Sequence, residues 1–337
     1  MYYNFSEKIS KIPSHRLLAI NRGEKEGALK IKFEVDEEKI YDFLESKIIL
    51  SDTIFKEEIV ETIKDSYKRL IKPSIEREIW ADKFEEASEI VKKATQETKL
   101  IYSKYFSEQT GNKVYLKPEN MQTTGAYKVR GAYYKISTLS EEERQKGLIT
   151  ASAGNHAQGV AYAAKEFGAK AVIVMPTTTP LIKVNLTKGY GAEVVLYGDV
   201  YDEACAYALE LAEKEGYTFI HPFDDPAVAT GQGTIAMEII KELPLVDYIL
   251  VPIGGGGLAT GVSTLAKMLN PNIRVIGVEP AGAACMKASL QAGEVVTLPN
   301  VNTIADGTAV KTPAGAVHRH VAVRHTDDRQ RHTLYAH

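Results

Sequence analysis

The sequence predicts an α/β protein with open, twisted, largely parallel sheets. Three observations carry that prediction. Short apolar runs recur at Ala171-Val172-Ile173-Val174-Met175-Pro176, Tyr248-Ile249-Leu250-Val251-Pro252-Ile253 and Ile273-Arg274-Val275-Ile276-Gly277-Val278, and runs this short and continuous suit strands buried on both faces. Stretches of helical periodicity separate them. Junctions rich in small residues and glycine follow two of the strands, and open α/β sheets bind their ligands beyond the C-terminal strand ends.

Taken in order, residues 1–80 differ in texture from the rest. Leu29, Ile31, Phe33 and Val35 share one face of an alternating stretch, which predicts a half-buried strand. Ile40, Phe43, Leu44, Ile48, Ile59, Ile63 and Leu70 return at helical spacing, with Ser51 or Asp52 as a cap between two helices. Acidic and basic residues nearly balance there, which predicts solvated helical faces and gives no nucleic-acid surface. Farther on, Phe84, Ala87, Ile90, Val91 and Ala94 predict an amphipathic helix, and Lys113-Val114-Tyr115-Leu116-Lys117 a short strand closed by Pro118. Lys128 opens another helix after the small-residue turn Thr123-Thr124-Gly125-Ala126. Val194-Val195-Leu196 and Phe219-Ile220 are shorter strands among the longer runs.

Composition bounds the function. The 337 residues suit two or three domains, and 44% hydrophobic content with 25% charged residues builds a sizeable core. A formal charge of −3 gives no electrostatic reason to expect nucleic acid or an anionic membrane as partner. No apolar run reaches the length of a membrane span, and no basic region leads into an apolar signal segment. Cys205 and Cys285 cannot make a disulfide framework and have no metal-ligand spacing. Ordinary buried thiols in a cytoplasmic protein are expected.

Two junctions carry the chemistry. In Thr150-Ala151-Ser152-Ala153-Gly154-Asn155-His156-Ala157-Gln158-Gly159, small residues let backbone N–H groups approach an anion. A helix beginning near Asn155 would point its positive end there. Ser and Asn are also common helix caps, so capping alone is the alternative reading of the stretch taken in isolation. In Gly254-Gly255-Gly256-Gly257-Leu258-Ala259-Thr260-Gly261, four glycines bare the backbone ahead of a helix N-terminus. A tight turn needs one or two glycines, and the absence of a following lysine excludes a nucleotide P-loop. Gly254-x-Gly256-x-x-Ala259 also fits a dinucleotide fingerprint, with Glu279 near the spacing of a ribose ligand. Against that stand its late position in the chain and a glycine run better suited to one phosphate than to a pyrophosphate.

Thr124-Gly125-Ala126-Tyr127-Lys128-Val129-Arg130-Gly131-Ala132, the Ser152 to Gly159 junction, the tetraglycine and Ile304-Ala305-Asp306-Gly307-Thr308-Ala309-Val310 together resemble the fold-type II pyridoxal-phosphate enzymes. The likeness is to threonine dehydratases (threonine ammonia-lyases) and covers about residues 82–315. It implies an α/β fold with two open twisted sheets, divided into a large cofactor domain over 81–122 and 223–315 and a small α/β domain over 123–222. It also implies pyridoxal 5′-phosphate as cofactor and a small amino acid as substrate. Lys128 then corresponds to the lysine that holds the cofactor as a Schiff base and moves the α-proton. Gly254, Gly255, Gly256, Gly257 and Leu258 correspond to the phosphate cradle, and Asn155 to the partner of the cofactor's ring oxygen. Ser152, Ala153, Gly154 and His156 correspond to the loop that receives the substrate carboxylate. The implied reaction is β-elimination, giving 2-oxobutanoate from threonine or pyruvate from serine, in a homo-oligomer. Related serine racemases hold a divalent metal near the position of Glu279. Ala283 fits that pattern here, but Cys285 stands where an aspartate is expected, so no metal is predicted.

Lys11-Ile12-Pro13-Ser14-His15-Arg16-Leu17-Leu18-Ala19-Ile20-Asn21-Arg22-Gly23-Glu24 resembles the central part of the Tex family of RNA-binding transcription accessory proteins, to about residue 79. That family's RNA-binding modules would lie outside this segment, so nucleic acid is not expected as a partner. Past Gly315 the likeness is expected to stop. Residues 316–337 hold five of the eight histidines and little apolar periodicity. They read as a disordered, frameshifted or fused tail, and His318-x-His320 lacks an element to fix metal geometry. The chain then reads as a short catabolic form, C-terminally truncated, with no regulatory domain. The segment closing the large domain and meeting the pyridine nitrogen is expected to be missing, leaving apolar faces open to water. Two other readings stay open on the residues: a nicotinamide oxidoreductase using Gly254 and Glu279, and a non-catalytic fusion product.

Overall fold

In the computed structural model, residues 36–49 and 54–313 are described. The strand expected over 29–35, the cap at Ser51 or Asp52 and the tail from 316 lie outside them.

The N-terminal part is helical. Helix α1 (Glu37–Ile48) is capped by the Asp36 carboxylate, which accepts from the Lys39 N–H. Helix α2 (Lys56–Ser66) follows and runs through a π-helical turn, Tyr67–Ile71, into the 20-residue α3 (Lys72–Val91). Sequence reading put a domain boundary at residues 80 and 81, and α3 crosses it without a break. Phe84 of α3 enters one core with Ile235, Val251, Val262 and Leu265, and Ala87 and Val91 enter another with Tyr134.

Next come β1 (Ile101–Tyr102), α4 (Lys104–Thr110) and β2 (Tyr115–Leu116), the strands pairing antiparallel. The strand expected over 113–117 shrinks to Tyr115 and Leu116, and β1 is too short to leave a periodic signal. Helices α5 (Lys128–Ser137) and α6 (Glu141–Gln145) lead into β3 (Leu148–Ala151). Then α7 (Asn155–Glu166), β4 (Ala171–Met175), α8 (Leu181–Gly189), β5 (Glu193–Leu196), α9 (Tyr201–Glu215) and β6 (Thr218–Phe219) alternate. They form a four-stranded parallel sheet in the order β5-β4-β3-β6. Every residue of β3 and β4 is buried, β4 as its unbroken apolar run requires and β3 with the Thr150 hydroxyl donating to the Ile220 carbonyl.

Helix α10 (Pro226–Glu242), β7 (Tyr248–Pro252), α11 (Gly257–Leu269), β8 (Arg274–Val278) and α12 (Cys285–Ala292) complete the described elements, with β7 and β8 parallel. Here the expectation of two buried faces fails. Strand β7 alternates, burying Ile249 and Val251 while Tyr248 is 51% and Leu250 57% exposed. The Arg274 guanidinium lies 5.7 Å from the Tyr248 ring centre, and both side chains of that face remain half open to water.

Helices α10 and α11 meet at a glycine crossing. A Cβ on Gly261 would stand 2.0 Å from the Ala229 carbonyl oxygen and 2.7 Å from the Gly233 nitrogen. Overpacking a site bounded by backbone forces the helices apart. Gly261→Ala is expected to cost about 3 kcal/mol, the upper end of the usual range for overpacking, read from the urea midpoint.

Candidate active site

Lys128 is the first residue of α5 and owes its place to the turn before it. The Gly125 N–H donates to the Gln122 carbonyl at 2.7 Å with φ at +73°, a left-handed conformation that suits glycine. Val129, Ala132, Tyr133 and Ile136 then bury one face of the helix. Gly159 of α7 packs on its start, where a Cβ would lie 3.2 Å from the Lys128 carbonyl. The residue keeps some exposure, but its ammonium is enclosed. It donates to the Pro222 carbonyl at 2.7 Å and lies 5.6 and 5.9 Å from the ring centres of Tyr127 and Phe223. Burial pulls its pKa down to about 8. About one such amine in ten is then neutral at pH 7, against about one in three thousand at an ordinary lysine's pKa. That makes it a usable nucleophile and proton carrier.

Strand β3 delivers the first junction. The Ser152 N–H continues the sheet by donating to the Val174 carbonyl at 3.1 Å, and the Gly154 N–H donates to Ser152 Oγ at 3.2 Å. Gly154 is the N-cap of α7 and offers no side-chain cap. Ser152, Ala153 and Gly154 are half-buried, with Asn155 exposed at the first helical position. Anion-accepting N–H groups of the first turn therefore face the junction. His156 behaves differently from its neighbours. Its ring turns inward, Nε2 lying 3.1 Å from the Ile220 carbonyl, while Nδ1 is buried with no partner among the described residues. Burial above all, with the Lys128 charge, pushes its pKa down to about 3. The ring therefore stays neutral at pH 7, and Nε2–H donates to Ile220.

That neutrality has a sign that can be tested. The folded-state pKa lies below the ordinary 6.5, so on acidification the unfolded chain takes up the proton first. The stabilisation is intact above about pH 6.5 and is lost progressively below it. Wild type should lose about 2 kcal/mol from this group between about pH 7 and pH 5. Burial lowers His221 as well, adding in the same direction, so the comparison is with His156→Gln. Urea denaturation at the two pH values should show a smaller drop in that variant. Equal drops would mean that His156 is not held neutral.

The second junction links β7 to α11, whose N-cap Gly256 has φ of +99° and no side-chain cap. Each glycine has its own reason. A Cβ on Gly255 would stand 2.6 Å from the Phe223 ring, and one on Gly257 2.8 Å from the Phe223 carbonyl. One on Gly254 would stand 3.2 Å from the Thr308 Cα. The bare turn thus serves close packing as well as the free N–H groups. Leu258 packs on the core behind it. Phe223 joins the parts, since it touches both the Lys128 ammonium and the glycine turn.

Glu279 is spoken for. It is buried, and its two oxygens accept from the Met286 and Lys287 N–H groups at 2.9 Å each, fastening the first turn of α12. Burial, only partly offset by those bonds, raises its pKa. A ribose hydroxyl would have to displace backbone donors, which argues against the nicotinamide reading. Burial also pushes the nearby Cys285 thiol up to about 11, so it is no thiolate. Among the described residues no group of three or more His, Cys, Asp or Glu side chains is placed to hold a metal ion.

Sequence reasoning missed what holds Lys128 in position. Two residues on, Arg130 is fully buried and forks onto two carboxylates. It meets Glu119 at 2.8 and 2.9 Å and Glu238 at 2.7 and 3.0 Å, with Thr234 at 3.2 Å. Lys117 joins through Glu238. Arg130 stood in the quoted motif, but its partners lie 11 and 108 residues away, beyond any local pattern.

A buried amine of lowered pKa, with two uncapped helix N-termini following strands of two different sheets, fits a phosphorylated carbonyl cofactor and defines an enzyme built around one. The chain belongs to the pyridoxal-phosphate dependent enzyme family, whose model matches residues 91–330. That match runs past Gly315, where the likeness was expected to stop. A second model, described as Tex central region-like, matches residues 1–91. An L-threonine ammonia-lyase of Thermotoga maritima is 50% identical over 235 residues, 70% of this chain and 59% of its own length. The chain thus spans less than two thirds of that relative. The processed threonine deaminase isoform 2 of Solanum lycopersicum superposes with a TM-score of 0.69 at 46% identity, covering 71% of each chain. Maize serine racemase superposes at 0.71 with 35% identity, covering 76% of each.

Proposed function

We propose that the chain deaminates L-threonine to 2-oxobutanoate and ammonia by β-elimination, with L-serine as second substrate giving pyruvate. The observation that carries this reading is the Lys128 amine, enclosed and lowered to about 8, beside two anion-accepting helix N-termini. Relatives named threonine ammonia-lyase support the choice of substrate. When bound, pyridoxal phosphate supplies a ring that accepts the electron pair left at the substrate α-carbon.

The chain's residues do the rest. Lys128 Nζ would anchor the cofactor and, as a free amine, would take the substrate α-proton. The N–H groups of Gly254, Gly255, Gly256, Gly257 and Leu258 hold the phosphate at the α11 N-terminus. Asn155 donates to the cofactor's ring oxygen. The turn of Ser152, Ala153, Gly154 and His156 would receive the substrate carboxylate through backbone N–H groups other than those of Ser152 and Gly154, which already donate to Val174 and Ser152 Oγ, with the His156 ring tying α7 to Ile220. Neutral His156 leaves Lys128 as the group that carries the proton. Tyr127 and Phe223 screen the amine from water, which keeps its pKa low.

The proposed domain division is a large domain over 81–122 and 223–315 around a small one over 123–222. The protein is read as cytoplasmic and homo-oligomeric, with no nucleic-acid partner. Among the described residues no helix is long and apolar enough to cross a membrane. The test is release of 2-oxobutanoate from threonine by the cofactor-loaded chain, with borohydride trapping of the cofactor on Lys128. Trapping on another lysine, or a loaded chain that releases no 2-oxobutanoate, would overturn the reading.

A further inference from the structure

The segment 304–310 packs against one anion-accepting junction and pairs with a lysine at the rim of the other. On one side it packs against the glycine turn, Thr308 Cα and Val310 Cγ2 each lying 3.2 Å from where a Cβ on Gly254 would stand. On the other, its Asp306 carboxylate pairs with the Lys183 ammonium at 3.0 Å. Lys183 belongs to the first turn of α8, whose start follows β4 beside β3. Its Nζ is 4.0 Å from the position a Cβ on Gly154 would take. The ammonium therefore stands at the rim of the Ser152 to Asn155 junction, beside the α7 N-cap Gly154.

That junction needs a cation more than its other residues suggest. His156 is neutral and faces Ile220. Lys128 is engaged by the cofactor. Backbone N–H groups alone accept an anion through partial charges, whereas a full positive charge beside them selects a carboxylate.

We propose that Lys183 is a positioning residue for the carboxylate of the amino-acid substrate, and that Asp306 is a clasp which holds Lys183 until that carboxylate replaces it. The inference rests on the threonine ammonia-lyase reading and deepens it. The exchange is easily made. Asp306 is 82% exposed, so its carboxylate is solvated on release, while Lys183, at 35%, stays against the junction. One carboxylate replaces another on the same ammonium, and no charge is left unpaired in the site. The clasp also sets selectivity. An amine without a carboxylate gives Lys183 nothing in return for Asp306.

The two partners should act with opposite sign. In the cofactor-loaded chain, Lys183→Met is expected to raise KM for threonine about tenfold, with kcat changed by less than about threefold. Asp306→Asn is expected to lower KM about two- to fivefold, because the ammonium loses its competitor. A readout without turnover is binding of L-2-aminobutanoate, which lacks the leaving hydroxyl, followed by the cofactor's absorption. It should weaken in Lys183→Met and tighten in Asp306→Asn. An ion pair that merely joins two segments would move both variants in the same direction, and that result, or two variants that match wild type, would overturn the clasp while leaving the lyase reading intact. A wild-type chain that binds the cofactor without acting on threonine or serine would overturn both.

Discussion

Lys128→Ala is expected to lower threonine turnover by at least about four orders of magnitude and to abolish the cofactor's visible absorption band. In the proposed reaction the side chain has two duties, covalent anchor and proton carrier, and alanine removes both. Lys128→Arg separates charge from chemistry. A guanidinium keeps the positive charge but stays protonated at any working pH, so it can neither attack a carbonyl nor accept a proton. That variant should be as inactive as the alanine one, with an affinity for inorganic phosphate equal to that of wild type. The measurements are 2-oxobutanoate release and the absorption spectrum. Turnover within about tenfold of wild type in either variant would put the chemistry at another residue.

Arg130→Met is expected to destabilise the fold by about 3–5 kcal/mol, the range for breaking a buried ion pair from one side. Two carboxylates converge on the guanidinium, so its loss leaves Glu119 and Glu238 facing each other and Lys117 in a buried space. Burial raises Glu238, but the bonds from Arg130 and Lys117 outweigh it and hold the carboxyl below its ordinary range. Without Arg130 that balance reverses, and Glu238 should take up a proton at higher pH. The deficit in unfolding free energy should therefore shrink as the pH is lowered toward the carboxylate range. A lysine in place of the arginine keeps one charge but loses the fork onto both carboxylates, so Arg130→Lys should fall between wild type and Arg130→Met. A urea midpoint unchanged in Arg130→Met would show that the network contributes nothing to the fold.

How far the sequence reached depends on how local each feature is. Strands β4, β7 and β8 were legible to within a residue, because an apolar run bounded by proline or glycine is written in consecutive letters. The starts of α5 at Lys128 and α7 at Asn155 were legible too, since each follows a turn of small residues. The half-exposed face of β7 was not, because burial on a second face depends on what packs there, and an apolar run looks the same with or without a cover. Phe223 was passed over for a similar reason. Nothing near His221-Pro222-Phe223 says that the ring will rest on a glycine turn over thirty positions later. Lys183 and Asp306 are separated by 123 residues and carry no motif that joins them. Local structure was readable where it depends on one residue in one turn, and contacts were hidden where two distant segments must meet.

The long helix α3 has a consequence for how the two matched regions came to share one chain. The Tex-like match ends at residue 91, yet Phe84 and Ala87 already lie in cores of the enzyme fold. A join inside a helix must keep its phase. Each residue added or removed ahead of Phe84 would swing α2 and α1 around the α3 axis by about 100° and shift them by about 1.5 Å. A loop would have absorbed such changes, whereas this connection behaves as a shaft that transmits every one of them to whatever is mounted on its far end.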